Sequence, residues 1–399
     1  MLMGETMRQV ITHEIGHALG LQHNMIASAS FPTDSLRSPS FTSKYGVSAT
    51  IMDYARQNYI AQPNDGLKTK DFIRRVGPFD DFAINWGYRV INAPNADAEK
   101  PTLNKWLAEQ TGLFPYRFVS QQLAAGDPRN QTEDLGDDPV KSSTYAVMNY
   151  KKMIPNLVKW TTKPGDNYDD LQEVYDEAVG RWAGYMGHVS TVIGGVYVDL
   201  KTSDQSGAVY TIIPKAKQKA ALEFLSANIL ATPDWLQPKD IISRIGPTTL
   251  LLARQTGIVT SLLSAARLGR LAESEKYDAT NAYPLADYLA DLKRAVWTGA
   301  PLDGNRRQLQ RVYLQRLEAL ISPPAVTPAP PGPNGPARAT PFVTPPTIAL
   351  SDLPAFTRMQ VREIQRDARL SAAAAPTTTA RAHWNDIADR ATLILEPKR

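Results

Sequence analysis

Residues 10–24 read "VITHEIGHALGLQHN", from Val10 to Asn24, and hold three of the five histidines in a chain of 399 residues. His13 and His17 stand four positions apart. On a helix that spacing puts both imidazoles on one face, about one turn apart, where both can reach one ion. Glu14, next to His13, projects toward the same cleft. It is not needed as a ligand, and it is placed to take a proton from an attacking water and hand it to a leaving amine. Gly20 follows one turn after His17 and lets the chain leave the helix through a left-handed conformation. The chain then doubles back and can bring His23 to the same ion. Three neutral nitrogens with a fourth position open describe a catalytic zinc site rather than a closed structural one. The competing reading is an amphipathic helix with incidental histidines, and the five positions taken together weigh against it. Met7, Ile11, Ile15 and Ala18 recur at helical spacing away from the histidines, and they predict the face that packs on a core.

The bulk composition narrows the class without deciding it. An apolar fraction of 43% and a charged fraction of 21% are ordinary for a globular chain. The net charge of +4 is spread along the sequence, which argues against a nucleic-acid partner. There is no cysteine, so disulfides, thiolate nucleophiles and Cys-type zinc sites are excluded. No stretch is apolar for long enough to predict a membrane span; the nearest, 250–263, contains Arg254 and Gln255 and predicts a buried helix. The start, "MLMGETMRQVITHE", lacks the basic and apolar regions of a signal peptide.

The pattern H-E-x-x-H-x-x-G-x-x-H resembles the signature of the metzincin zinc endopeptidases. Downstream, "SATIMDYA" (48–55) places Met52 where that clan carries a methionine turn beneath its zinc ligands. By this resemblance Met52 supplies an apolar, polarizable floor for the histidine rings. Tyr54, two residues on, resembles a tyrosine that steadies the oxyanion in two branches of the clan; a tyrosine simply packed against the turn is the other reading. Asn24 is not the residue that the better-known branches carry after the third histidine, which implies a separate branch. "VGPFDDFAINWGYR" (76–89) resembles the helix that closes the metzincin catalytic domain, with Pro78 suited to its first turn. With the long helical tail, these motifs resemble a group of large secreted bacterial zinc metalloproteases whose flanking domains have no established function. The resemblance implies one Zn2+, a peptide or protein substrate, and a periplasmic or extracellular location. A non-catalytic interaction module that keeps a relic protease site is the alternative.

A metzincin has an upper sheet ahead of its active-site helix, and its edge strand binds extended substrate. Too few residues precede His13 to form one. The expectation is therefore the C-terminal part of a longer protein, with the upper zincin sheet absent and supplied by the missing N-terminal region.

The predicted fold is mainly α with one small β-hairpin: a metzincin lower subdomain followed by a helical domain. Residues 1–92 form the catalytic module. Residues 93–142, rich in Pro, Asn, Asp and Gly, predict an irregular connection with short helical turns. Asp127, Asp134, Asp137 and Asp138 cluster there, and a Ca2+ site and a solvated loop are the two readings. Residues 143–322 form the helical domain, with helices at 143–155, 169–187, 248–272, 284–297 and 305–321. Alternation at 195–201 and 207–213 predicts the hairpin, at about 195–213. Residues 323–349 read as a proline-rich linker, and 350–399 as two C-terminal helices. His188 predicts a core or helix-end histidine, and His383 an exposed, incidental one.

Overall fold

Helical periodicity becomes helix along most of the chain. The computed structural model describes residues 2–120, 126–298, 302–321 and 351–396, which form two compact units. The first comprises Met1–Met153 with Val196–Thr211, and the second Ile154–Gly195 with Ile212–Arg399. The predicted proline-rich linker, 323–349, lies outside the described residues. Among the described residues the only sheet is a two-stranded ribbon, so the architecture is mainly α with one hairpin. No helix among them is long and apolar enough to cross a membrane.

In the first unit, α1 (Leu2–Ala18) carries the first two histidines. Short helical turns and α2 (Pro39–Tyr45) lead to the methionine turn, and α3 (Pro78–Tyr88) follows it. Pro78 occupies the first turn of α3, where its missing N–H costs nothing. Ala27, Phe31, Leu36, Val47, Ala49 and Ile60 bury together beneath this region, with Phe41 and Tyr45 packed against them. The 93–142 segment differs from its predicted irregularity: α4 (Ala96–Glu109) runs for 14 residues, capped by Asn95, with Pro101 inside it. None of its side chains is buried, which is why no apolar pattern announced it. After α5 (Pro139–Met153) the unit is completed by β1 (Val196–Val198) and β2 (Tyr210–Ile212), the predicted hairpin.

The apolar face of α1 is a correction. Met7, Ile11 and Ile15 are 58%, 55% and 54% exposed, and Ala18 is exposed too. No described element lies over that face. The face that does pack carries Gln9, His13 and Gly16 instead.

The second unit is a helical assembly. α6 (Leu157–Thr161), α7 (Asp169–Val192), α8 (Lys215–Leu225) and α9 (Lys239–Ile245) precede α10 (Leu250–Leu262) and α11 (Ala265–Tyr277). The stretch expected over 248–272 is thus two helices, broken at Leu263–Ser264. Then come α12 (Leu285–Trp297), α13 (Gly304–Ile321), α14 (Leu353–Ala373) and α15 (Thr378–Leu395). Trp182, Tyr175, Tyr288 and Tyr313 are buried at its centre. His188 sits on α7 against Tyr185. His383 overturns its expectation: it is 2% exposed and its Nε2 lies 2.7 Å from Gln310 Oε1. Burial, with Arg311 and Arg307 nearby, lowers its pKa to about 4.

Candidate metal centre

The end of α1 sets the first two histidines and then turns the chain. Gly20 adopts φ 84°, as its position predicts. Leu21 N–H donates to Gly16 O at 3.0 Å and Gly20 N–H to His17 O at 2.9 Å, the paired bonds of a glycine-terminated helix. This reversal brings His23 back over the helix. His13 Nε2 and His17 Nε2 lie 3.3 and 2.9 Å from His23 Nε2. Among the described residues this trio is the one group of three or more His, Cys, Asp and Glu whose ligand atoms converge, all within 4.8 Å.

The other ring nitrogens decide what the convergence means. His13 Nδ1 is 2.8 Å from Ile51 O, and His17 Nδ1 is 2.9 Å from Leu21 O. A carbonyl oxygen only accepts, so both Nδ1 atoms carry the proton and both Nε2 atoms present lone pairs. Lone pairs aimed at a common point repel unless a cation stands between them. Three imidazole nitrogens about 2.0–2.1 Å from one tetrahedral zinc stand roughly 3.3 Å apart. The donor set and its spacing therefore fit zinc. Burial lowers the His13 pKa, and Arg74 adds to this, so the neutral, ligand-competent ring is favoured. Glu14 is exposed next to this cluster.

The methionine turn underlies the histidines. Met52 is fully buried, and its Sδ lies where a Cβ on Gly16 would come within 2.3 Å. Gly16 is therefore a residue that the motif positions did not single out: with a glycine there, α1 settles onto the thioether, and a Cβ would force the Met52 side chain to move. Gly16→Ala is expected to cost about 1–3 kcal/mol through forced repacking and to weaken zinc retention. The smaller Met52→Ala in the same chain should restore part of the loss, because the two atoms compete for one space. Thermal melts of the single and double variants check this, and strict additivity would show that the contact is not the cause.

Asp80, on the first turn of α3, holds the turn in place. Its carboxylate accepts from Ile51 N and Gly77 N, both at 2.8 Å, and from the Thr50 hydroxyl. Burial raises its pKa while these three bonds pull it back. Asn24 ties in the third histidine's segment: its N–H donates to Met52 O at 3.3 Å. Its side chain donates to Arg117 O at 2.8 Å and accepts from Val119 N at 3.1 Å. Tyr54 lies against the cluster, its ring 4.3 Å from that of His23 and 5.6 Å from that of His13.

The four aspartates read as a Ca2+ candidate each have separate partners. Asp127 pairs with Arg129 at 2.8 Å and accepts from Val198 N. Asp134 accepts from the Ser28 hydroxyl at 3.1 Å, and Asp137 from Thr33 N at 2.9 Å. Asp138 caps α5 through Val140 N.

Compared with known proteins, residues 1–303 match a family described as Met-zincin. No curated protein and no solved structure matches the chain.

Proposed function

Because the chain belongs to the Met-zincin family, a metalloprotease-like class, we propose that it is the catalytic part of a zinc-dependent endopeptidase. The observation that carries this is the pair of Nδ1–carbonyl bonds, which turn the His13 and His17 lone pairs toward His23. His13, His17 and His23 would hold the metal. Zinc bound there supplies Lewis acidity at the scissile carbonyl and a water of lowered pKa. Glu14 accepts the proton of the attacking water and returns it to the amine as the peptide bond breaks. Tyr54, whose ring lies 4.3 Å from that of His23, would donate its phenol to the developing oxyanion. Met52 keeps the floor under the rings apolar, and Gly20 makes the turn that delivers His23. The location we assign, on the family resemblance, is the bacterial periplasm or exterior.

The uncovered apolar face of α1 supports a reading in which a further element seats there in the working enzyme. Weak zinc binding and poor cleavage are then the expected behaviour of these 399 residues alone. The test is zinc content by mass spectrometry beside hydrolysis of a quenched peptide library, for these residues and for the whole open reading frame that encodes them. Chelator-sensitive cleavage by the latter supports the reading. Zinc-loaded protein without cleavage in either form favours the interaction module.

A further inference from the structure

We propose that a cavity in the second, helical unit, lined by Trp297, Trp384 and a balanced cluster of charges, binds a neutral carbohydrate. The cavity measures about 450 Å³, within the range of ligand-binding clefts. All of its lining comes from the second unit, from α12, α14 and α15 with Thr298 just past the end of α12. Lys293 and Trp297 stand one turn apart on α12, and Glu363, Asp367 and Ser371 mark successive turns of α14. That i,i+4 spacing is what brings each set to one cavity.

The two indoles form one wall. Their ring centroids lie 6.3 Å apart with planes tilted by 32°. A group held between two ring faces needs them about 7–8 Å apart, twice a carbon contact distance. Nothing therefore enters between these rings, and an occupant lies against the pair. That excludes an aromatic cage, in which several ring faces surround one ammonium group. Both indoles are also held in place. Trp297 meets Tyr313 edge to face at 6.0 Å, and Trp384 packs on the buried His383 at 4.9 Å.

The charges identify the rest of the occupant. Lys293 Nζ donates to Glu363 at 3.1 Å and to Asp367 at 2.9 Å, and Arg366 pairs with Asp367 at 2.9 Å. Two cations face two anions, so no net charge is left for an ionic ligand to answer. Arg294, also in the lining, is matched by Asp291 at 2.8 Å. A purely apolar occupant would strip water from these ionised groups and replace it with nothing. The carboxylates keep unused lone pairs, and the ammonium has a third proton to donate. The partner they call for is uncharged, rich in hydroxyls that both donate and accept, and apolar on one face. A sugar ring has that chemistry, with C–H groups across its face and hydroxyls around its edge. The ion pairs fix the polar groups before it arrives, which lowers the ordering cost of binding.

The test titrates the full chain with cellobiose, maltose and N,N′-diacetylchitobiose, and with tetramethylammonium as the cationic rival. Binding is read by calorimetry and by saturation-transfer NMR. At least one disaccharide should bind saturably below about 20 mM, with the strongest transfer to the C–H protons of one ring face. Trp384→Ala and Glu363→Ala should each weaken that binding at least roughly tenfold, and Ser371→Trp should abolish it by filling the cavity. The Glu363 side chain is 41% exposed, so its loss leaves the fold intact even if Trp384→Ala does not. Thermal melts of each variant show which of them are folded, and the folded ones decide. No saturable binding by any of the three disaccharides overturns the proposal, as does binding that the folded variants leave unchanged. Tighter binding of tetramethylammonium than of every sugar, lost in the same variants, replaces it with a cation site.

Discussion

Glu14→Gln is expected to lower peptide turnover by about 10²–10⁴-fold while leaving zinc content unchanged. The substitution conserves shape and removes only the capacity to accept a proton. Glu14 is exposed on α1, and no hydrogen bond or ion pair among the described residues engages its carboxylate. The fold should therefore be indifferent to the change. His13 and His17 keep their Nδ1–carbonyl bonds and the three histidines their convergence, so the metal should stay. The loss should fall on kcat, because the proton transfer belongs to the transition state. The measurement is steady-state hydrolysis in the longest form that cleaves, beside metal analysis of the same samples. Turnover near the wild-type rate would remove Glu14 from the mechanism, and loss of zinc would assign it to the metal site instead.

The second large effect concerns stability and pH. Asp53 and Asp134 are both fully enclosed and press on each other electrostatically. Burial raises both pKa values, that of Asp134 to about 7 from 3.8. Asp53 accepts from Ser48 at 3.2 Å and feels Arg74, but its second oxygen has no partner. A raised folded pKa means that the folded state holds a proton the unfolded chain releases. The associated stability is complete below about pH 4 and is lost as pH climbs toward 7. Asp134→Asn keeps the acceptor for Ser28 and removes Asp134's share of that dependence, together with its charge against Asp53. It should therefore stabilise the protein at pH 8 by on the order of 2–4 kcal/mol and change little at pH 4. Urea melts of both proteins from pH 4 to 8 check this. Parallel stability curves would mean that the pair carries no shared proton.

The histidine cluster was legible in the sequence because it lies in short-range spacing. The interval between His13 and His17 is a property of helix geometry, and Gly20 marks a helix end by the one conformation glycine reaches cheaply. The hairpin likewise showed in local alternation. Long-range relations were not legible. Met7 and Ile15 have the spacing of a core face, but no spacing reveals whether anything lies opposite. His383 sits among polar neighbours in sequence, and its partner Gln310 belongs to another helix. Gly16, Asn24 and Asp80 contribute through contacts with Met52, Val119 and Thr50, none of which local pattern can pair. The Pro, Asn and Asp that mark 93–142 as irregular also start and punctuate α4, where they serve as cap and first turns.

The partners that set the tautomers of His13 and His17 are main-chain carbonyls, those of Ile51 and Leu21. Every amino acid supplies that group. Mutation can delete a carboxylate that orients a ligand in one step, but it cannot delete a peptide oxygen. The centre is thus buffered against drift in its immediate neighbours. Its genetic vulnerability is displaced to residues that govern the path of the backbone, Gly20 at the helix end and Asp80 beneath the turn. A saturation screen for metal retention should find its sensitive positions there, with side-chain changes at Leu21 passing almost unnoticed.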